Sequence, residues 1–108
     1  MPAAAVIESD IRALLDSPSS GDEAPTLAHI EHALTTGYAR AMALEAEQSR
    51  LQRRIAEVAV ELADDDDALP DPELGRLARE LKATCRSLVE LRTLLDSLRT
   101  RADAARPA

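Results

Sequence analysis

The sequence predicts an all-α protein whose main element is an antiparallel, coiled-coil-like helical hairpin. Two long stretches repeat apolar residues every three or four positions, as helices that share one seam do. An acidic segment, 64–71, lies between the two stretches and contains Pro70, which predicts a turn. The chain has one tyrosine and neither phenylalanine nor tryptophan. A core of aliphatic side chains alone suits helix-on-helix packing better than a sheet.

The first predicted element, residues 1–16, is a short amphipathic helix that starts at about residue 3. Its apolar residues recur at helical spacing, at Ile7, Ile11, Leu14 and Leu15. Proline, glycine and serine then mark 17–25 as a flexible linker. A helix of this length is only marginally stable alone in water. It must therefore pack either on the rest of the chain or on a partner.

The hairpin is predicted over 26–106, with helices at about 26–63 and 72–106. Thr26 is the N-cap of the first of these helices, and Asp71 followed by Pro72 begins the second. With Leu27 at heptad position a, the first seam contains Leu27, Ile30, Leu34, Gly37, Ala41, Leu44, Gln48, Leu51, Ile55, Val58 and Leu62. The second seam contains Leu74, Leu77, Leu81, Thr84, Leu88, Leu91, Leu95, Leu98, Ala102 and Ala105.

An antiparallel fold about residue 68 matches the two seams layer by layer. Small residues then face large ones, with Gly37 opposite Leu98 and Ala41 opposite Leu95, which keeps the layers similar in volume. Opposite charges flank the seam in the same register, in the pairs Glu45 with Arg92, Glu31 with Arg106 and Arg54 with Glu80. The polar seam residues Gln48 and Thr84 are interpreted as determinants of register.

The two edges of the predicted hairpin differ in polarity. The g side is mostly charged and is predicted to face solvent; it contains Arg40, Glu47, Arg54, Glu61, Glu80, Leu94 and Arg101. The other edge, here called the e/b stripe, is shallow and apolar; it contains Tyr38, Met42, Ala56, Ala59, Ala63, Ala78, Cys85 and Val89. We expect a second hairpin to cover the e/b stripe, giving a dimeric four-helix bundle. The alternative is a three-helix monomer in which the N-terminal helix packs there.

The sequence predicts neither a catalytic site nor a bound metal or cofactor. His29 and His32 are three residues apart, a spacing that suits a metal, but no third ligand lies nearby. Asp64–Asp67 lack the alternation and the glycine of a calcium loop. Cys85 is the only cysteine, so we interpret it as a packing residue. An enzyme would need a polar cavity near Gln48.

Charge and hydropathy limit the partners and the location. The net charge is −7 and no concentrated basic surface is evident, which argues against nucleic acid. No apolar run approaches the roughly 20 residues that span a bilayer, and the first residues do not resemble a signal peptide. We therefore expect a cytoplasmic protein that does not bind membranes.

The function predicted from these features is that of a non-enzymatic scaffold or adaptor for protein–protein interactions. The hairpin would self-associate through Tyr38, Met42, Ala59, Cys85 and Val89 of the e/b stripe. The N-terminal helix would dock on an unidentified protein partner through Ile7, Ile11, Leu14 and Leu15. One alternative is a regulatory subunit that contacts a nucleic-acid machine through the arginine-rich last helix. A small all-helical enzyme is the other.

Overall fold

A computed structural model describes residues 3–65 and 71–107, with side chains from residue 6 onward. These residues form three α-helices and no strand: α1 (Ala3–Asp16), α2 (Leu27–Ala63) and α3 (Pro72–Ala105). The all-α prediction is confirmed, and so is the packing of the two long helices against each other. The predicted acidic turn lies largely outside the described residues, since 66–70 are not described.

The two long helices begin at side-chain caps of the kind that the sequence predicts. The Thr26 Oγ1 accepts a hydrogen bond from the backbone N–H of His29 at 3.1 Å. The Asp71 Oδ1 accepts one from the N–H of Glu73 at 2.8 Å, and Pro72 is the first residue of α3. Each cap satisfies a backbone donor that has no partner inside its helix. α2 then continues without interruption through Gly37.

The linker between α1 and α2 contains a defined turn. Gly21 has a φ of 94°, in the left-handed region that residues with a Cβ rarely adopt. The N–H of Ala24 donates to the carbonyl of Gly21 at 3.2 Å. At the other end of the linker, the Ser17 hydroxyl donates to the carbonyl of Ala13 at 2.8 Å. The linker that the sequence predicts to be flexible therefore has several fixed contacts in this structure.

The chain divides into two compact units. The three-helix unit comprises Met1–Met42 and Val89–Ala108, and includes α1 together with one end of α2 and one end of α3. Its core consists of Ile11, Leu14, Ile30, Leu34, Ala41, Leu91, Leu95, Leu98 and Ala102, all of which are buried. Every seam position in this list was predicted from the heptads. Ile11 and Leu14 come from α1.

Gly37 lies where side chains of two other helices approach the backbone of α2. A Cβ at this position would overlap the Leu95 Cδ2 and would lie 3.3 Å from the Ile11 Cδ1. Side chains of α1 and α3 therefore both approach the backbone of α2 here, and only glycine leaves room for them. The sequence predicted Leu98 opposite Gly37, whereas the nearest α3 side chain is that of Leu95.

The two-helix unit, Ala43–Leu88, contains only parts of α2 and α3. Leu51, Val58 and Leu77 form its buried cluster. Ile55, Leu62, Leu74 and Leu81 pack against that cluster but remain half-buried. Within the unit, Arg54 pairs with Glu73 and Gln48 bonds to Cys85, so the residue numbers run in opposite directions. The two helices are therefore antiparallel here, as the sequence predicts.

None of the described helices combines the length and the apolar character that crossing a membrane requires. The four-helix bundle formed by two copies stays a prediction.

Candidate functional site

The predicted partner-docking face of α1 lies against the chain itself. Ile11 and Leu14 are 1% and 7% exposed, and both belong to the core of the three-helix unit. Ile7 and Leu15 are half-buried. Of the two alternatives that the sequence left open, packing of α1 on its own chain is the one this structure contains. Docking on a partner through the same four residues stays a prediction, and it would require α1 to leave this position.

The position of α1 corrects one expectation from the sequence. A groove between α1 and α2 is lined on the α2 side by His29, His32, Ala33 and Thr36, and not by residues of the e/b stripe. Ala33 is a g position of the heptad. The g side was predicted to be a solvated face, and in the three-helix unit this was wrong.

Arg101, another g-side residue, holds the carboxyl-terminal end of α1. Its Nη1 donates to the carbonyls of Leu14 and Leu15 at 2.6 and 2.9 Å. Its Nη2 donates to the carbonyl of Ser17 at 2.5 Å and also to that of Pro18. The last carbonyls of a helix have no partner within it, so a guanidinium in this position is a charged C-cap. The planar guanidinium of arginine spreads its donors over three nitrogens in a fixed geometry, whereas the three donors of lysine share one nitrogen.

A second g-side arginine is also partly removed from solvent. Arg40 is half-buried, and its Nε is buried without a hydrogen-bond partner among the described residues. Sequence reasoning missed both arginines because charged residues at g positions usually face water. The presence of Ala33 and Leu94 on the same edge could have indicated that a third helix packs there, since small and apolar residues leave space for it.

The groove of the three-helix unit has a volume of about 530 Å³. Its lining combines six apolar residues, two carboxylates, two imidazoles and two hydroxyls: Ile7, Ile11, Ala13, Leu14, Pro25, Ala33, Asp10, Glu23, His29, His32, Ser17 and Thr36. His29 and His32, the candidate metal ligands of the sequence, are exposed at this groove. Among the described residues, no group of three or more histidine, cysteine or acidic side chains is arranged to hold a metal ion.

The e/b stripe leaves large apolar side chains exposed. In the three-helix unit, Tyr38, Met42 and Val89 are 40%, 69% and 62% exposed. In the two-helix unit, Ala59 is exposed and Cys85 is half-buried. Of these stripe residues, three are therefore large and exposed, Ala59 is small and exposed, and Cys85 turns toward the seam.

Cys85 is the stripe residue that faces the seam. The Gln48 Nε2 donates to its Sγ at 3.0 Å, within the two-helix unit. A thiol is a weak acceptor, but this bond gives the half-buried Gln48 amide a specific partner. The contact supports a role for Gln48 in register. The sequence analysis did not predict this contact, because a heptad projection does not show that an e-position side chain can turn inward.

Ion pairs follow the edges of the two-helix unit. Arg54 lies 3.1 Å from Glu73 and 3.9 Å from Glu61, so one guanidinium pairs with a glutamate of each helix. The predicted partner of Arg54 was Glu80, which instead pairs with Arg76 at 2.6 Å. The hydrogen bonds that Arg54 donates to Glu73 are the main cause that raises the pKa of Arg54. The predicted pair of Glu31 and Arg106 is confirmed in the other unit, at 3.7 Å.

In an exposed ion pair on α2, hydrogen bonds shift the pKa of a carboxylate. Glu47 accepts hydrogen bonds from both the Nε and the Nη2 of Arg50. This bidentate contact lowers the pKa of Glu47 below its ordinary value. Arg50, Arg54 and Arg76 thus already have acidic partners, which weakens the case for a basic nucleic-acid surface on this part of the molecule.

Comparison with known proteins finds no match: no family model, no curated protein and no solved structure resembles this chain.

Proposed function

We propose that the protein is a non-enzymatic interaction module that self-associates through the e/b stripe and acts as a scaffold or adaptor. The observation that carries the proposal is the exposure of Tyr38, Met42 and Val89 on two antiparallel helices of one unit. Exposed large apolar side chains on adjacent elements are typical of interaction surfaces.

The side of the molecule on which α1 lies supports this choice of surface. α1 covers the g side of the three-helix unit, and the stripe residues occupy the e and b positions. α1, the only additional helix in the described part of the chain, is therefore not available to cover Tyr38 and Met42. A second molecule can bury them.

The absence of charged residues from the stripe is compatible with a second copy of the same chain as that molecule. Each copy has a net charge of −7, so charged surfaces of two copies repel on average. The stripe itself has no formal charge at neutral pH. In a two-fold dimer the same patch meets itself, and an uncharged apolar patch can do so without placing like charges together.

The test compares stripe variants with a matched control by sedimentation equilibrium of the full chain. Met42→Lys and Val89→Glu place a charge on the stripe, whereas Val60→Lys alters an equally exposed apolar residue at an f position. The new charges have opposite charges three or four residues away: Glu45 for position 42, Arg86 and Arg92 for position 89, Glu57 and Asp64 for position 60. All three variants should therefore keep their helices.

We expect the parent chain to be a dimer. Met42→Lys and Val89→Glu should each weaken association about tenfold or more, because a charge at the centre of an apolar interface must be desolvated. Val60→Lys should associate like the parent. A parent chain that stays monomeric at all concentrations, or a Val60→Lys variant that dissociates as much as Met42→Lys, would show the proposal to be wrong.

A further inference from the structure

We propose that the groove between α1, the linker and α2 binds a small amphipathic ammonium ion, with the apolar body of the ligand inside and its cationic end at the rim. The proposal goes beyond the self-association proposed above and concerns a different surface. It stands on the size of the groove, the distribution of its apolar residues and the sign of its charges.

The size of the groove suits a small molecule. Its volume of about 530 Å³ lies within the range of roughly 300–1,000 Å³ that is typical of ligand pockets. Three turns of a partner helix form a cylinder about 10 Å wide and about 16 Å long, or roughly 1,200 Å³. The groove can enclose most of a small molecule but only one face of a helix, and we therefore propose a small ligand.

The lining of the groove favours an apolar body. Ile7, Ile11 and Leu14 come from α1, Pro25 from the end of the linker and Ala33 from α2. Ile11 and Leu14 are buried, and Ile7, Pro25 and Ala33 are half-buried. A ligand with an aromatic or alkyl body would remove the remaining exposed area of these side chains from water, which is the main source of affinity in such a site.

The charges of the groove favour a cation. Asp10 and Glu23 line it from α1 and from the linker, and neither lysine nor arginine does so. Both carboxylates are exposed, and neither forms an ion pair with another residue in the described part of the chain. An anionic ligand would meet two carboxylates and no cation. A ligand with a positive end would gain two attractive interactions, so the groove favours a cationic ligand over an anionic one.

His29 and His32 add hydrogen-bonding capacity at the same rim. Both imidazoles are exposed, and both line the groove on the α2 side. A neutral imidazole offers one nitrogen as an acceptor, which an ammonium group can use as a donor. The site therefore presents carboxylates on one side and imidazoles on the other.

The test is a titration of the ¹⁵N-labelled full chain, followed by NMR at about pH 8, where histidines are ordinarily neutral. Three probes share one body and differ in charge: 3-phenylpropylammonium, 3-phenylpropanol and 3-phenylpropanoate. We expect the ammonium to shift backbone amides of the groove residues and to bind about three- to tenfold more tightly than the alcohol, as exposed ion pairs allow. The carboxylate should not bind.

Two sets of variants test whether the carboxylates cause the tighter binding of the ammonium. Asp10→Asn combined with Glu23→Gln should make the ammonium and the alcohol bind equally. Asp22→Asn is the matched control, because Asp22 is exposed and adjacent to Glu23 but does not line the groove. Asp10, Asp22 and Glu23 are all exposed, so the variants should fold. The dispersion of the amide signals in the same spectra checks that they do.

Several results would overturn the proposal. They are equal binding of the three probes, no binding of the ammonium, shifts confined to the e/b stripe, or an Asp22→Asn variant that loses the preference as fully as the double variant.

Discussion

The two units of the molecule use the same heptad pattern and reach different degrees of burial. In the three-helix unit, the α3 residues Leu91, Leu95 and Leu98 are at most 1% exposed. In the two-helix unit, the α3 residue Leu77 is also buried, at 3% exposed, whereas Leu74 and Leu81 are only half-buried. A heptad determines which side of a helix faces its neighbour. Two helices alone enclose some seam residues completely and leave others partly in water.

The units also differ in how polar groups stabilise them. Arg54 and Arg76 of the two-helix unit pair with carboxylates at the surface, where a pair contributes little because water screens it. Arg101 of the three-helix unit donates to backbone carbonyls and fixes the end of a helix. Three sets of substitutions compare the units directly.

The largest difference is expected for leucine truncation on α3. Leu98→Ala should lower the free energy of unfolding by about 3–4 kcal/mol, because it leaves a cavity in a fully enclosed site. Leu81→Ala should cost about 1–2 kcal/mol, since its half-buried side chain is already partly in water. Urea denaturation of both variants measures the contrast. Equal losses would mean that the third helix adds no protection.

An intermediate effect is expected for Arg101→Ala. The loss of hydrogen bonds to the end of α1 should lower the free energy of unfolding by about 2 kcal/mol and reduce the hydrogen-exchange protection of α1 amides. Arg79→Ala is the control, because Arg79 is exposed on the same helix, and its cost should stay within about 0.5 kcal/mol. Unchanged protection of α1 in Arg101→Ala would contradict the capping role.

The smallest effects, of opposite sign, are expected for two helical glycines. Gly37→Ala should destabilise the protein by about 1 kcal/mol, since the strain of overpacking against Leu95 exceeds the gain in helix propensity. Gly75→Ala should stabilise it by about 0.5 kcal/mol, because a Cβ there meets only the Arg79 Nη1, at 3.4 Å. Thermal unfolding of the two variants gives the signs. Stabilisation in both would show that the helices have room to separate at Gly37.

The helices and their seam could be predicted from the sequence because both depend on local patterns. Thr26, Asp71 and Pro72 mark helix starts by residue type alone, and apolar spacing identifies the inner face. The same spacing identified α1 as amphipathic but did not show where it would pack. That position depends on the shape of the assembled hairpin around Gly37, which no local pattern describes.

The side-chain partners were harder to predict for a related reason. A heptad projection assigns each flanking charge one partner, whereas a long guanidinium can reach several carboxylates. Arg54 therefore contacts Glu73 rather than Glu80, and Arg101 reaches backbone atoms that a helical projection does not contain. The groove likewise draws its lining from α1, the linker and α2, so its two carboxylates become neighbours of the histidines only in the folded chain.

The cap that Arg101 places on α1 has a consequence for the order of folding. The carbonyl of Leu14 and the guanidinium of Arg101 are separated by 87 positions along the chain. During synthesis α1 is made before the long helices, and Arg101 follows only after α2 and most of α3 have been made. Contacts between residues so far apart in the sequence form late in folding, because other contacts must first offset the entropic cost of closing the intervening loop. The newly made α1 therefore lacks its cap until Arg101 has emerged.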